Sequence, residues 1–339
     1  MRPRFLPALL AAACLAIAPA AVRAQAPEKP KLTLGVGGKT LFYYLPLTIA
    51  QQKGYFKAEG LDVEIQDFPG GARALQALLG GSVDVVSGAY EHTITQQAKG
   101  QAIQAVILQG KYSAIVLVMS KAKAAQYKSP ADLKGMKIGV TAPGSSTNMF
   151  VNVLLAKVGL KPDDVSIVGA GATAGAVAIM QRGEIDALAN LDPVISQLES
   201  GGFVPVVDTR TAKGMQEVYG GAYAAGCIYV PAEFTKKYPN TTQAVVNAMM
   251  RALRFIQTST PDEIVAAVPS DYYVDKALYK AALEKNLETF RHDGQISLEA
   301  ARNVYRDLRS FDPGVQNATV DLARTIDMSF AQKAAARYK

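Results

Sequence analysis

From Leu32 to Val207, short apolar runs alternate with longer segments in which apolar side chains recur every three or four positions. The first spacing predicts strands and the second predicts helices. Leu32–Val36, Leu61–Gln66, Val83–Ser87 and Ile103–Leu108 read as strands. Helices from Pro46 toward Lys53, over Ala72–Leu79 and over Glu91–Lys99 lie between them. A β-branched run, Ile115–Met119, then leaves this block. The alternation resumes with strands at Lys137–Thr141, Val165–Val168, Ile185–Ala189 and Val204–Val207, and with helices opening near Ser145 and covering Thr173–Arg182 and Pro193–Glu199. A second apolar run, Ala222–Val230, follows Gly220-Gly221. Beyond it the pattern is helical: Thr241–Gln257, Lys276–Glu288, Ser297–Ser310 and a last segment near Val320–Phe330.

This alternation predicts an α/β protein built of mainly parallel sheets with helices on their faces. Two blocks with one apolar crossing out and another back predict two lobes, a two-strand hinge and a cleft. Lobe I is expected at 31–116 plus 226–339 and lobe II at 117–225. Ligands of open α/β sheets sit beyond the carboxyl ends of the strands. The loops at those ends are Gly37–Leu45, Gly88–Glu91, Ala142–Thr147 and Asn190–Asp192.

The stretch Lys137–Gly159 is the most informative. Ile138–Val140 is a strand, Pro143-Gly144 breaks it, and Ser145 or Ser146 can cap the helix that follows. No charged side chain falls between Ile138 and Ala156. The helix start therefore has free N–H groups and no acidic partner nearby, which suits an anion or a polar ligand atom. The same residues also suit an ordinary strand-to-helix turn.

Two nucleotide motifs are tested and set aside. Gly37-Gly38-Lys39-Thr40 resembles the end of a phosphate-binding loop, but the required earlier glycine is Thr33. Gly169-Ala170-Gly171-Ala172-Thr173-Ala174 has dinucleotide-fingerprint spacing, with Asp186 downstream. It lies deep in the second block instead of opening the first βαβ unit.

Composition narrows the class. At 339 residues, 49% apolar and 19% charged, the chain has material for about two globular domains. Arg2 and Arg4 precede an apolar run to Val22, and Val22-Arg23-Ala24 forms a small-residue cleavage site. That pattern predicts a signal peptide over 1–24 and a periplasmic protein. Pro7 and Pro19 argue against a membrane span. Cys14 follows three alanines but lacks the aliphatic residue of a lipidation site, so lipidation is the minor expectation. Loss of Met1–Ala24, which holds Arg2, Arg4, Arg23 and no acid, lowers the net charge from +7 to +4. The excess forms no long basic run, and nucleic acid is not an expected partner. Only Cys227 then remains, and His92 and His292 are far apart, so neither a disulfide nor a metal site is expected. No cofactor is expected.

Five segments carry a family resemblance: Pro46–Val63, Gly80–Gly88, Asp132–Val140, Gly183–Asp192 and Cys227–Pro239. In this order and spacing the chain resembles the periplasmic substrate-binding proteins of ABC importers, in the branch that takes nitrate, sulfonates, taurine and thiamine precursors. The resemblance implies a two-lobed type II binding fold that closes over a small ligand and docks, as a monomer, onto an inner-membrane permease. It implies pocket residues Tyr43 and Tyr44 after the first strand, and Tyr90 and Glu91 after the third. It adds Ser145, Ser146 and Thr147 in the serine turn, and Asn190 and Asp192 after Ala189.

The Gly88-Ala89-Tyr90-Glu91 loop is bulkier and more acidic than an inorganic-anion site suggests. A small organic anion or zwitterion is therefore expected: a sulfonate, a carboxylate or a pyrimidine precursor. Glu91 suits an amine or amidine, or simply the first turn of its helix. Asp192 suits a ligand, or an N-cap ahead of Pro193. Cys227 reads as a buried small side chain, and His92 has no visible nucleophile or orienting acid. An enzyme is not expected; the alternative is a pyrimidine-precursor synthase on the same scaffold. A sensor subunit is not separated from a transport subunit by sequence.

Overall fold

Each apolar run becomes a strand because β-branched and aliphatic side chains fill both faces of a sheet covered by helices. A computed structural model of the chain describes residues 26–338. The expected signal segment and Cys14 lie outside the described residues. The strands are β1 (Lys31–Val36), β2 (Asp62–Asp67), β3 (Val85–Ala89), β4 (Ile103–Gly110), β5 (Val116–Met119), β6 (Lys137–Val140), β7 (Ser166–Gly169), β8 (Ala187–Asn190), β9 (Val204–Asp208) and β10 (Gly226–Pro231).

They form two five-stranded sheets, ordered β2-β1-β3-β10-β4 and β7-β6-β8-β5-β9. In the first, β1 runs parallel to β2 and β3, while β10 is antiparallel to β3 and β4. In the second, β6 runs parallel to β7 and β8, while β5 is antiparallel to β8 and β9. Each sheet is thus mixed: the strand that arrives from the other block enters antiparallel. Two mixed sheets flanked by helices are the type II periplasmic binding fold.

The chain leaves the first sheet after Gly110 and returns to it at Gly226. The two connecting segments are tied together. The Thr209 backbone N–H donates to the Ile115 carbonyl at 3.1 Å, and Ser113 Oγ lies 2.7 Å from Thr209 Oγ1.

Local chemistry explains several helix starts. Thr260 and Glu263 form a capping box before Pro261–Ala266, and Ser297 accepts from the Ala300 N–H at the head of Leu298–Arg309. The helix Pro239–Thr258 buries one face as the scaffold of the C-terminal part. The expected last helix near Val320–Phe330 is corrected. Asp321 caps a short 3-10 turn at Leu322–Thr325, and the helix itself is Ser329–Arg337. The helix Ala212–Tyr219 is an addition to the sequence reading; Gly220 in left-handed conformation ends it.

Candidate binding site

The loops at the carboxyl ends of β1, β3, β6 and β8 meet between the two sheets. Two glycines permit the approach. Gly38 has φ +96°, and a Cβ there would lie 2.3 Å from Ala172 Cβ. A Cβ on Gly70 would lie 2.8 Å from Ala142 Cβ and 3.1 Å from Ser145 Oγ. The Gly169–Ala172 turn, which has fingerprint spacing, is thus packed against the loop of the opposite sheet.

Three hydrogen bonds join the facing loops. The Phe42 N–H donates to the Asp192 carbonyl at 2.9 Å. The Ala72 N–H, in the first turn of the helix Gly71–Leu79, donates to Ser145 Oγ at 2.9 Å. His92 Nε2 lies 3.3 Å from the Gly144 carbonyl. That contact makes Nε2 the protonated nitrogen, so Nδ1 accepts from Tyr229 OH at 3.1 Å. Burial holds His92 down to about 4, with the Gly144 bond only partly offsetting it. His92 is therefore neutral near pH 7 and acts as a tie between the two halves.

The candidate residues separate into groups. Tyr90 turns away from the junction: its hydroxyl lies 2.6 Å from Thr325 Oγ1 inside the first lobe. Thr147 braces its own turn, accepting from the Thr141 N–H at 3.0 Å. Ser146 is half-buried. Ser145 makes no cap bond to its own helix, Ser146–Ala156; its hydroxyl serves the helix of the other half. Asn190 holds the Gly171 carbonyl and the Leu191 N–H.

Asp192 is fully enclosed and fully paired. One oxygen accepts from the Ser196 N–H and hydroxyl, at 2.9 and 2.7 Å. The other accepts from Arg210 Nη1 at 3.1 Å and from Asn286 Nδ2 at 2.7 Å. Arg210 also binds Glu199 and Asp208, and Lys285 reaches Glu199. Burial opposes the Arg210 charge, but the Asp208 bond and the charges of Asp192 and Glu199 outweigh it and raise its pKa.

Tyr43, Tyr44 and Glu91 sit in a different environment. Tyr43 and Tyr44 pack edge to face, with centroids 5.3 Å apart. Glu91 opens the helix Glu91–Ala98 and is 2% exposed. One carboxylate oxygen accepts from Tyr223 OH at 3.1 Å; the other has no hydrogen-bond partner. The Tyr43 hydroxyl, also buried, has none either. Burial pushes the Glu91 carboxyl up to about 7, against the pull of its own backbone N–H and Tyr223; the Asp307 charge adds to the rise. The Glu91 charge in turn helps burial raise the Tyr43, Tyr219, Tyr223 and Cys227 groups.

Sequence reasoning missed Tyr219, Tyr223 and the tie made by His92. Tyr219 and Tyr223 stack with centroids 4.0 Å apart. Their signal was two tyrosines bracketing Gly220-Gly221 just before an apolar crossing.

Open cavities lie elsewhere. A cavity of about 480 Å³ on the second lobe is lined by Tyr127, Leu154 and Val207. Another, of about 300 Å³, lies between the helices Val194–Ser200 and Lys276–Asn286. Neither includes Tyr43 or Glu91, and each lacks the enclosed, unpaired polar atoms of the tyrosine cluster. Among the described residues no group of three metal-capable side chains occurs, and no helix is long and apolar enough to cross a membrane.

Comparison with known proteins places this geometry. The model of the NMT1-like family matches residues 25–269. A protein of known structure from Bordetella bronchiseptica RB50 is 51% identical, with TM-score 0.88, over 93% of this chain and 99% of that one. The alkanesulfonate-binding protein SsuA of Xanthomonas axonopodis pv. citri, bound to MOPS, has the same fold. It is 20% identical with TM-score 0.69, over 88% of this chain and 99% of that one. A 4-amino-5-hydroxymethyl-2-methylpyrimidine phosphate synthase of Saccharomyces cerevisiae is 28% identical over 46% of this chain, a match spanning 45% of the yeast protein.

Proposed function

The chain belongs to the NMT1-like family, and from that premise we propose that it is the solute-binding component of an ABC-type importer. In this reading it is exported to the periplasm, captures a small organic anion or zwitterion between its lobes and delivers it to an inner-membrane permease. The observation that carries the reading is the join between the facing loops. Phe42 to Asp192, Ala72 to Ser145 and His92 to Gly144 link elements from different sheets. Next to Phe42 and His92 in the chain, Tyr43 OH and one Glu91 oxygen lack partners. Buried polar atoms are normally paired, so two unpaired ones at an interlobe junction mark a place for a ligand.

A solute touching both lobes favours the closed arrangement by its differential contacts with the closed and open states. Small-angle scattering tests this. Addition of the right solute is expected to lower the radius of gyration, whereas an unchanged radius across a broad panel of organic acids and zwitterions contradicts the receptor reading.

The yeast synthase similarity favours one alternative, an enzyme on this scaffold acting on a pyrimidine precursor. Both His92 nitrogens are already engaged, and burial pushes the Cys227 thiol well above its usual range. Neither side chain is poised as a base or nucleophile, which supports binding over turnover. Consumption of a candidate solute by the purified protein would reverse that preference.

A further inference from the structure

We propose that the solute carries a positively charged nitrogen, an ammonium or amidinium, seated on Glu91 beside Tyr43. The proposal rests on the reading that the cleft holds a solute, and it narrows the class of that solute.

Glu91 is buried on every side, yet among the described residues no lysine, arginine or histidine pairs with it. Its partner elsewhere in the chain is one phenol, Tyr223. At the helix start its own backbone N–H also draws on the carboxylate, and one oxygen is still left without a partner. An ionised carboxylate left this way is costly unless a cation or several donors reach it. The free oxygen can accept two donors, and the lone pairs on Tyr43 OH can accept another.

The titratable groups coupled to Glu91 are phenols, a thiol and an acid. Tyr43, Tyr219 and Tyr223 respond to the Glu91 charge, as does Cys227. Tyr229 also feels it, below Cys227 and Tyr44 in effect. On the helix Leu298–Arg309, Asp307 acts on both Glu91 and Tyr219, and one of its oxygens also lacks a partner. Arg306, on the same helix, is turned to Asp307 and to the Tyr219 carbonyl. No lysine, arginine or histidine among the described residues thus gives an ionised Glu91 a local counter-charge. An ionised Glu91 would repel a carboxylate or sulfonate, while an ammonium or amidinium would favour that ionised form and be held by charge-assisted hydrogen bonds. A zwitterion fits only with its anionic end directed away from Glu91.

Matched probes test this: taurine against isethionate, and benzamidine against benzoate, each followed by thermal shift and calorimetry. At least one nitrogen-bearing member is expected to bind while its partner does not. Glu91→Gln, which keeps shape and burial, is expected to weaken that binding at least about tenfold, and Tyr43→Phe about threefold. Circular dichroism confirms folding of both variants. Equal binding of the nitrogen-free partner, retention of affinity in Glu91→Gln, or no response to either nitrogen-bearing probe overturns the assignment. The receptor reading fails separately, only if no solute of any class compacts the protein.

Discussion

Two buried carboxylates stand at the junction between the sheets, and their surroundings could hardly differ more. Asp192 has every lone pair answered by Ser196, Arg210 and Asn286. Glu91, equally buried, has one phenol and an oxygen left over. Burial alone therefore does not distinguish a structural acid from a ligand-facing one. Completeness of pairing does, because the interior makes an unmet charge costly and a fully bonded one tolerable.

The contrast breaks most sharply at Arg210. Arg210→Met removes the cation that Asp192, Glu199 and Asp208 share. It should destabilise the fold by about 3–5 kcal/mol in denaturant titration, since it leaves buried acid uncompensated. A loss below about 1 kcal/mol would put Asp192 in the same class as Glu91.

Glu91→Gln should act in the opposite direction on the solute-free protein. The folded carboxyl is raised to about 7 from its ordinary value of 4.5. The folded state therefore binds more protons than the unfolded chain between those values, and stability from this group falls as pH rises through that window. The stability gain of Glu91→Gln over the parent, followed by thermal unfolding, should grow from near zero at pH 4.5 to a plateau above pH 7. Its size there is on the order of 3 kcal/mol. Asp307, raised to about 6, slopes the same way. His92 and His292, both lowered to about 4, slope oppositely below 6.5. The difference between variant and parent isolates Glu91 from all three. A pH-independent difference contradicts the assignment.

Ser145→Ala sharpens the comparison on the tie between halves. It leaves the Ala72 N–H without its acceptor, and should weaken solute binding by about 1 kcal/mol in calorimetry. Ser146→Ala, at a half-buried hydroxyl, should change affinity by less than about 0.5 kcal/mol. Equal effects from the two serines would mean that the hydroxyls act on the solute and not on closure.

The strands were legible because Val, Ile and Leu runs are local signals: the eight expected strands and the two apolar crossings occur as the ten strands, within a few residues of their places. The site was legible only as loops. Tyr90 follows β3 as expected, yet its partner Thr325 is distant in sequence. Tyr223 reaches Glu91 across 132 positions. Asp192 looked like a cap, and its bonds to Ser196 match that reading, but Arg210 and Asn286 come from separate elements. Periodicity carries no information on pairings of that range. The segment Val320–Phe330 failed for a local reason: Asp321 starts a 3-10 turn that Ile326, in extended conformation, ends.

Native mass spectrometry of the protein as purified, beside Glu91→Gln prepared identically, tests the central claim most directly. The account predicts a bound small molecule that contains basic nitrogen and is lost or sharply reduced in the variant. A bound mass without nitrogen, or one retained at equal occupancy in Glu91→Gln, would contradict it.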